Sequence, residues 1–392
     1  MNTTPIATVV GGGIAGLASA ASLLRHGWRV RVVERAAAFG EVGAGLAITR
    51  NGMAALDAIG AGTAVRDAGF QVFMAGNQNH RGRWLMRIPA PRGDGAPNGS
   101  CGVHRRDLHS ALLAAADGAE LLTDAPVTAI SPGEANGEPA TVTYRGADGE
   151  HQLSSDLVVA ADGINSTIRE ALWPGAKPRY SGKTSWRGVL DHPGLVDERF
   201  VVVWGPDAEF GALRINPRQV YWYGYIAHPA DAVFADESAT VAERFADWPS
   251  WVREIIAATP PKRLLRHDVH HLPSGALSAY TRGRTVLVGD AAHPMLPTMG
   301  QGANSALEDG ACVGPLLGIP LGDNGIAEHL AEYDRRRVPR CRDITRRSEL
   351  TARIGADLGP GWRQKARDLA LRLTPTATTV RKGSALLEWT PP

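Results

Sequence analysis

Ile6–Val10 is a short apolar run that stops at glycine, the pattern of a buried strand. The Ala- and Leu-rich spacing after it predicts a helix from Ile14 to about Arg25, ending near Gly27. Arg29–Val33 repeats the apolar run and closes at Glu34. Asn51–Ile59 reads as an amphipathic helix stopped by Gly60, and Leu108–Ala116 as another. Thr141–Tyr144 and Leu153 flank a hairpin around Gly146 and Asp148-Gly149. Asp156–Ala161 and Thr285–Val288 are two further buried strands. Between Tyr180 and Leu265 the periodicity changes. Trp186–Val189, Phe200–Trp204, Phe210–Ile215 and Gln219–Ile226 alternate apolar and polar positions and carry many aromatics, which predicts antiparallel strands. Val241–Ala246 and Val252–Ala257 read as helices, with Pro249, Pro260 and Pro261 as punctuation. Three helices follow: Ala303 to about Leu317, Glu328–Arg353 and Trp362–Leu373. The expected class is α/β, a Rossmann-like unit with a mixed or antiparallel-sheet unit inserted and helices at the C-terminus.

Composition narrows this little. The 392 residues are 44% hydrophobic and 21% charged, an ordinary balance for a globular chain. A formal net charge of +2 argues against a nucleic-acid partner. Cys101, Cys312 and Cys341 are too widely spaced for a metal-ligand pattern or a disulfide framework. There is no signal-peptide pattern and no run of about 18 apolar residues, so a cytoplasmic protein without a membrane partner or metal is expected. The Arg335-Arg336-Arg337 run reads as a solvated face or an ion-pair site.

The candidate chemistry sits where apolar runs end. Gly11, Gly13 and Gly16 follow the first strand at G-x-G-x-x-G spacing, and Glu34 ends the second. Gly11 allows a tight turn, Gly13 lets a pyrophosphate approach the backbone, and Gly16 lets helix and strand pack closely. A carboxylate at Glu34 accepts both hydroxyls of a ribose and repels a 2′-phosphate. A second acid, Asp290, follows Gly289 at the end of the Thr285 strand, where open α/β sheets bind ligands. Pro294 and Pro297 stiffen the loop after it, and Gly300-Gln301-Gly302 opens a helix whose amides face whatever lies above. Two such sites so far apart in sequence suggest one long ligand held from both ends. Glu41–Leu46 reads either as a plain connection or as a loop passing close to a planar ring. Arg105, placed just before a helix, reads equally as a phosphate partner or a cap. Asp162-Gly163 through Arg169 reads as a capping arrangement with an ion pair, or as part of the ligand site. Tyr221-Trp222-Tyr223-Gly224-Tyr225 is either sheet core or a flat wall for a planar substrate.

Together these motifs resemble the single-component FAD-dependent aromatic hydroxylases, the group of para-hydroxybenzoate, salicylate and 3-hydroxybenzoate hydroxylases. The resemblance rests on Gly11–Gly16 with Glu34, on Asp162-Gly163 through Arg169, and on Gly289-Asp290 through Pro297, in order over residues 1–320. Pro297–Asn304 resembles the salicylate and 3-hydroxybenzoate branch most. The resemblance implies FAD held by Gly11, Gly13, Ala15, Gly16, Glu34, Arg35, Gly45, Arg105, Asp162, Asp290, Gly302, Ala303 and Asn304. Glu34 would take the adenosine ribose, and Arg105 the pyrophosphate or ribityl chain. Asp290 would take the ribityl or pyrophosphate portion. Pro297, Gly300 and Gln301 would lie at the reacting face, with Trp204, Tyr221, Tyr223 and Met299 lining the substrate. The implied activity is NADH- or NADPH-dependent hydroxylation by O2, through an FAD C4a-hydroperoxide, of a small aromatic or polycyclic molecule. An epoxidase, an oxidative decarboxylase and a flavin-binding protein without turnover share the scaffold. The Trp-x-Trp-x-Ile segment of flavin halogenases is absent. No catalytic base is assigned among His228, His270, His271 and His293, and His293 reads as holding its loop. The expected division is an FAD unit of 1–73, 98–178 and 267–330, a substrate unit of 74–97 and 179–266, and C-terminal helices over 331–392, in a monomer or homodimer.

Overall fold

Four of the apolar runs that end in glycine or an acid become neighbouring parallel strands. In the computed structural model, residues 4–40, 44–90, 99–318, 326–375 and 385–392 are described. A six-stranded sheet runs in the order Thr281–Arg282, Thr285–Leu287, Leu157–Ala160, Ile6–Val10, Arg29–Val33, Glu120–Leu122. Its strands are parallel except at the Thr281 edge, and Val9 sits opposite both Val32 and Val159. Both faces are covered, as valine-rich parallel strands require. On one side the helices Ile14–Arg25 and Gly302–Leu317 pack together, and a Cβ at Gly310 would lie 2.5 Å from that of Ala18. A small antiparallel sheet of Val127–Ser131, Ala140–Gly146 and Gly149–Ser155 flanks this unit.

The alternating aromatic segments form a nine-stranded sheet. Its path is Leu264–His271, Arg179–Leu190, Val220–Ala227, Ala208–Arg214, Arg199–Gly205, Phe70–Asn79, Gly99–His104, Gly45–Thr49, with Trp84–Arg87 added beside Phe70–Asn79. Gly45–Thr49 and Gly99–His104, read from sequence as parts of the FAD unit, hydrogen-bond into this sheet. Backbone pairing therefore joins the two units.

The two faces of the sheet differ. Trp186, Val203, Phe210, Trp222 and Ile226 point one way, onto Val241, Phe245, Val252 and Ile255 of the helices Glu237–Arg244 and Ser250–Ala257. Phe210 and Trp222 stack with ring centroids 5.4 Å apart. Each large apolar side chain buried here contributes roughly 1.5–3 kcal/mol. The register turns a different set the other way. One cross-strand row is Val202, Gly211, Tyr223 and Arg187; the next is Trp204, Glu209, Tyr225, Ser185 and His267. That face is polar and aromatic, and it adjoins the FAD unit. Tyr221 packs on Gly45, and Tyr223 on the cluster that includes Leu296.

Candidate active site

The parallel register sets the strand-end acids and the glycine turn in spatial order: Asp290, Asp162, Gly11–Gly13, Glu34. Gly11 adopts φ +104°, and a Cβ there would lie 2.4 Å from the Ala161 carbonyl. A Cβ at Gly16 would lie 1.9 Å from the Gly11 carbonyl, so helix and turn touch as the spacing predicts. Glu34 braces the turn, taking hydrogen bonds from Gly12 N at 2.7 Å and Ala36 N at 2.9 Å. Against this tight frame, Gly13, Gly163, Gly300 and Gly302 face open space, with no atom within 4 Å of a Cβ built on them. The helices from Ile14 and Gly302 both start without a side-chain cap, so their first amides are free for an anionic or oxygen-rich ligand. Asp290 is exposed at the cleft. Asp162 accepts from Ile168 N through one oxygen, while its other, buried oxygen has no partner among the described residues. An elongated cofactor with a pyrophosphate and a polyol chain fits this line of features, and FAD has both.

The remaining sequence candidates fall in several places. Arg105 is the first residue of its helix rather than a residue ahead of it, because His104 caps the amide of Arg106. Its own amide donates to Ala44, so the Gly45 strand and this helix start are tied together. Gly45 lies inside a strand, not in a loop, and a Cβ there would meet the Tyr221 ring at 2.4 Å. Glu41, Val42 and Gly43 lie outside the described residues. Ala15 is buried beside Gly289, Arg35 is exposed, and Ala303 is half-buried. Pro297 is exposed at the head of a single turn, Pro297–Met299, that ends in left-handed Gly300. Met299 packs toward Met295, Ile344 and Leu386. The side chains of Gln301 and Asn304 are committed to protein: Gln301 to Thr49 and Asn51, Asn304 to Thr49 N, Ala47 O and Gly300 O. They hold the loop to the Gly45 strand and leave backbone to face the cleft. The ion pair expected for Arg169 is instead a set of carbonyl contacts to Ala176, Asp290, Ala291 and Ile164, with Ser166 capping the helix.

A family model described as an FAD binding domain matches residues 3–348. The chain belongs to the FAD-dependent aromatic hydroxylase family. It is 34% identical over 361 residues to the aurachin C monooxygenase/isomerase of Stigmatella aurantiaca, covering 91% of each chain. It is 32% identical over 378 residues to the 2-heptyl-3-hydroxy-4(1H)-quinolone synthase of Pseudomonas aeruginosa, covering 95% of each. Among solved structures, Klebsiella pneumoniae HpxO complexed with FAD and uric acid has a TM-score of 0.84 at 23% identity, covering 99% of this chain and 97% of that one. The flavoprotein thus shares that fold, its cofactor is FAD, and it is a monooxygenase of aromatic substrates.

Two buried groups in this hydroxylase escaped the sequence reading. The first lies under the cofactor loop. Asp309 takes a hydrogen bond from Gly289 N at 2.8 Å, meets His293 Nε2 at 2.5 Å, and accepts from Arg337 Nε at 2.7 Å. Glu308 beside it accepts from Arg337, Arg340 and Asn51. Burial opposes ionisation of Asp309, yet His293 and Arg337 hold its carboxyl down at about 2. Burial likewise opposes a charged His293, but Cys341 and Asp309 raise it well above the ordinary histidine value. His293 therefore holds its loop, as read from the sequence. Arg337, the last residue of the triple-arginine run, is 1% exposed, whereas Arg335 and Arg336 pair with Glu332 at the surface. Only the turn of the Ala327–Ile354 helix separates these fates.

The second group is on the cleft-side face of the large sheet. Glu209, 2% exposed, accepts from Trp204 Nε1 at 2.8 Å and from the Tyr223 hydroxyl at 2.7 Å. Burial pushes its carboxyl up to about 7 against those two neutral hydrogen bonds. Arg187, half-buried in the adjoining row, has a buried Nε without a partner among the described residues. His267, in the Glu209 row, is lowered to about 4 by burial and by Arg187. The one sequence signal was an acid inside the Ala208-Glu209-Phe210 run, where both faces turn out to be buried.

Proposed function

We propose that this flavoprotein hydroxylates a small aromatic or bicyclic molecule at the expense of NADH or NADPH and O2. The observation that carries the reading is the opposition of two surfaces. Uncapped helix amides and open glycines line one side, and a polar, aromatic sheet face lies against the other. When bound, FAD would supply the redox chemistry that links nicotinamide oxidation and O2 to oxygenation of an electron-rich ring. The protein's part is to bind and orient. Glu34 and the Gly11–Gly13 turn receive the adenosine and pyrophosphate end, Asp290 the polyol, and the amides after Gly300 the electron-rich edge of the ring system. Such amides contribute roughly 0.3–2 kcal/mol toward negative charge there. Tyr221, Tyr223 and the exposed Pro297 exclude water from the reacting face. The sheet face and its strands, with residues 74–90 and 179–266, form the substrate unit, and residues 91–97 of the expected division lie outside the described residues. The relative that makes a 4(1H)-quinolone puts a bicyclic nitrogen heteroaromatic first among candidate rings. We place the protein in the cytoplasm, as a monomer or homodimer.

The test is a panel of phenols, anilines and 4(1H)-quinolones given to the FAD-loaded protein with NADH or NADPH. Ring-stimulated nicotinamide oxidation is expected, with peroxide measured alongside to separate coupled from futile turnover. A yellow protein that oxidises neither nicotinamide in the presence of any ring sinks the reading.

A further inference from the structure

We propose that Tyr223 and Glu209 form a proton relay in which the Tyr223 hydroxyl takes a proton from an O–H or N–H of the bound ring while passing its own to Glu209. The proposal rests on the hydroxylase reading and names the base that reading lacks. Sheet register brings the parts together. Glu209 and Tyr223 lie on neighbouring strands, one row apart and on the same cleft-side face. The Tyr223 ring lies flat over Gly211, where a Cβ would come within 2.6–2.8 Å of the ring and hydroxyl. That packing aims the hydroxyl at Glu209 Oε1, 2.7 Å away. The other carboxyl oxygen is held by Trp204 Nε1. Tyr223 remains partly exposed and packs beside Leu296, next to Pro297, so it stands at the reacting side of the pair while Glu209 stands behind it.

The surroundings suit a group that gains and loses one proton. Arg187, Tyr221 and His267 share this face, and the other charged or titratable neighbours come from four further positions. Lys183, on the Arg179 strand, is already satisfied by Asp357 at 3.4 Å and the Ala356 carbonyl at 2.8 Å. Arg367, from the Trp362–Leu373 helix, lies over the Trp204 ring at 5.2 Å and pairs with Asp368. Tyr225, next to Tyr223 on its strand, is raised well above the ordinary phenol by burial and stays neutral. No arginine or lysine salt-bridges Glu209 among the described residues, so the carboxyl titrates near neutrality instead of staying ionised. Tyr223 itself is raised well above the ordinary phenol by burial and by Glu209, so it conducts a proton without remaining ionised.

The step balances without an oxidant. The ring O–H or N–H bond breaks and leaves its electron pair on the ring. Tyr223 Oη gains that proton and releases its own, and Glu209 becomes a neutral acid. The ring, now anionic and richer in electrons, would have its new charge offset by the guanidinium of Arg187, which is paired with Tyr223 across the strands. General-base assistance of this kind is worth about 10²–10⁴-fold.

The experiment uses the FAD-loaded enzyme and the 4(1H)-quinolone or phenol that turns over in the panel. In the wild type, kcat/KM is expected to rise with pH through about 7. Glu209→Gln and Tyr223→Phe should lose about 10²-fold and flatten that limb, and Glu209→Asp should recover part of it. Without any ring, the infrared carbonyl stretch of the protonated carboxyl should disappear as pH rises through about 7 and be missing in Glu209→Gln. An unchanged limb in Glu209→Gln, or a carboxyl already ionised at pH well below neutral, overturns the relay while leaving the hydroxylase intact. No ring-dependent turnover in the wild type overturns both, since the relay then has no proton to move.

Discussion

Asp309 and Glu209 are both buried carboxyls in the same molecule, and they behave as opposites. Asp309 has two cationic partners, His293 and Arg337, and is held at about 2. Glu209 has only neutral donors, Trp204 and Tyr223, and is pushed to about 7. Burial penalises both charges alike, so the difference lies in what repays it. A buried charge met by full charges becomes a fixed lock; one met by dipoles becomes a group that can exchange a proton. The lock pins the Gly289 loop to the Gly302 helix. The exchanging group stands behind the Tyr223 hydroxyl on the cleft-side face of the large sheet. Asp290, exposed at the cleft, is a third case, free to meet a ligand hydroxyl.

Arg337→Met should have the largest effect on this contrast. It leaves Glu308 and Asp309 buried with much of their charge uncompensated, and a stability loss of about 3–5 kcal/mol is expected in urea unfolding. A loss below about 1 kcal/mol would mean the cluster is not a lock. Next come two pH windows of opposite sign. The raised value of Glu209 means its contribution is fully present below its unfolded value of 4.5 and is lost as pH rises through about 7. That amounts to roughly 3 kcal/mol of unfolding free energy between the two. Glu209→Gln should flatten this decline. Asp309 acts in reverse, contributing above its unfolded value of 3.8 and losing roughly 2 kcal/mol as pH falls to about 2. If Glu209→Gln shifts the acid window of Asp309 instead, the contrast fails. Asp290→Ala should weaken FAD binding by about 10–100-fold, the equivalent of one charge-assisted hydrogen bond, without moving either window. Flavin fluorescence on dilution checks this, and full retention of FAD counts against the role. The smallest change is Trp204→Phe, which removes one hydrogen bond to Glu209 and should cost about 1 kcal/mol. It should also move the Glu209 titration further upward, and a downward move would show that Trp204 does not stabilise the carboxylate.

How much of this was legible depended on whether chemistry lay close along the chain. The G-x-G-x-x-G turn, Glu34 at the second strand end and the Gly289-Asp290 strand end are local patterns, and each fell where the spacing predicts. Gly45 was read as part of a loop, and its place in a strand has a distant reason: Tyr221 occupies the space its side chain would need. Trp204 was read as a wall for substrate, and the structure shows its indole donating to Glu209 beneath an arginine. The triple-arginine run could not be divided by sequence, since one arginine of the three turns inward onto acids some 30 residues earlier.

The sequence alone determined the cofactor frame, because glycine and strand-end acids act through backbone geometry within a few residues of one another. It also determined the alternation that makes the large sheet. Tertiary structure decided which face of that sheet meets the cofactor unit, which buried acids receive full charges, and therefore which carboxyl is locked and which is free to titrate. Those outcomes depend on solvent exclusion and on partners from strands and helices far away in the chain, and neither is written in local order.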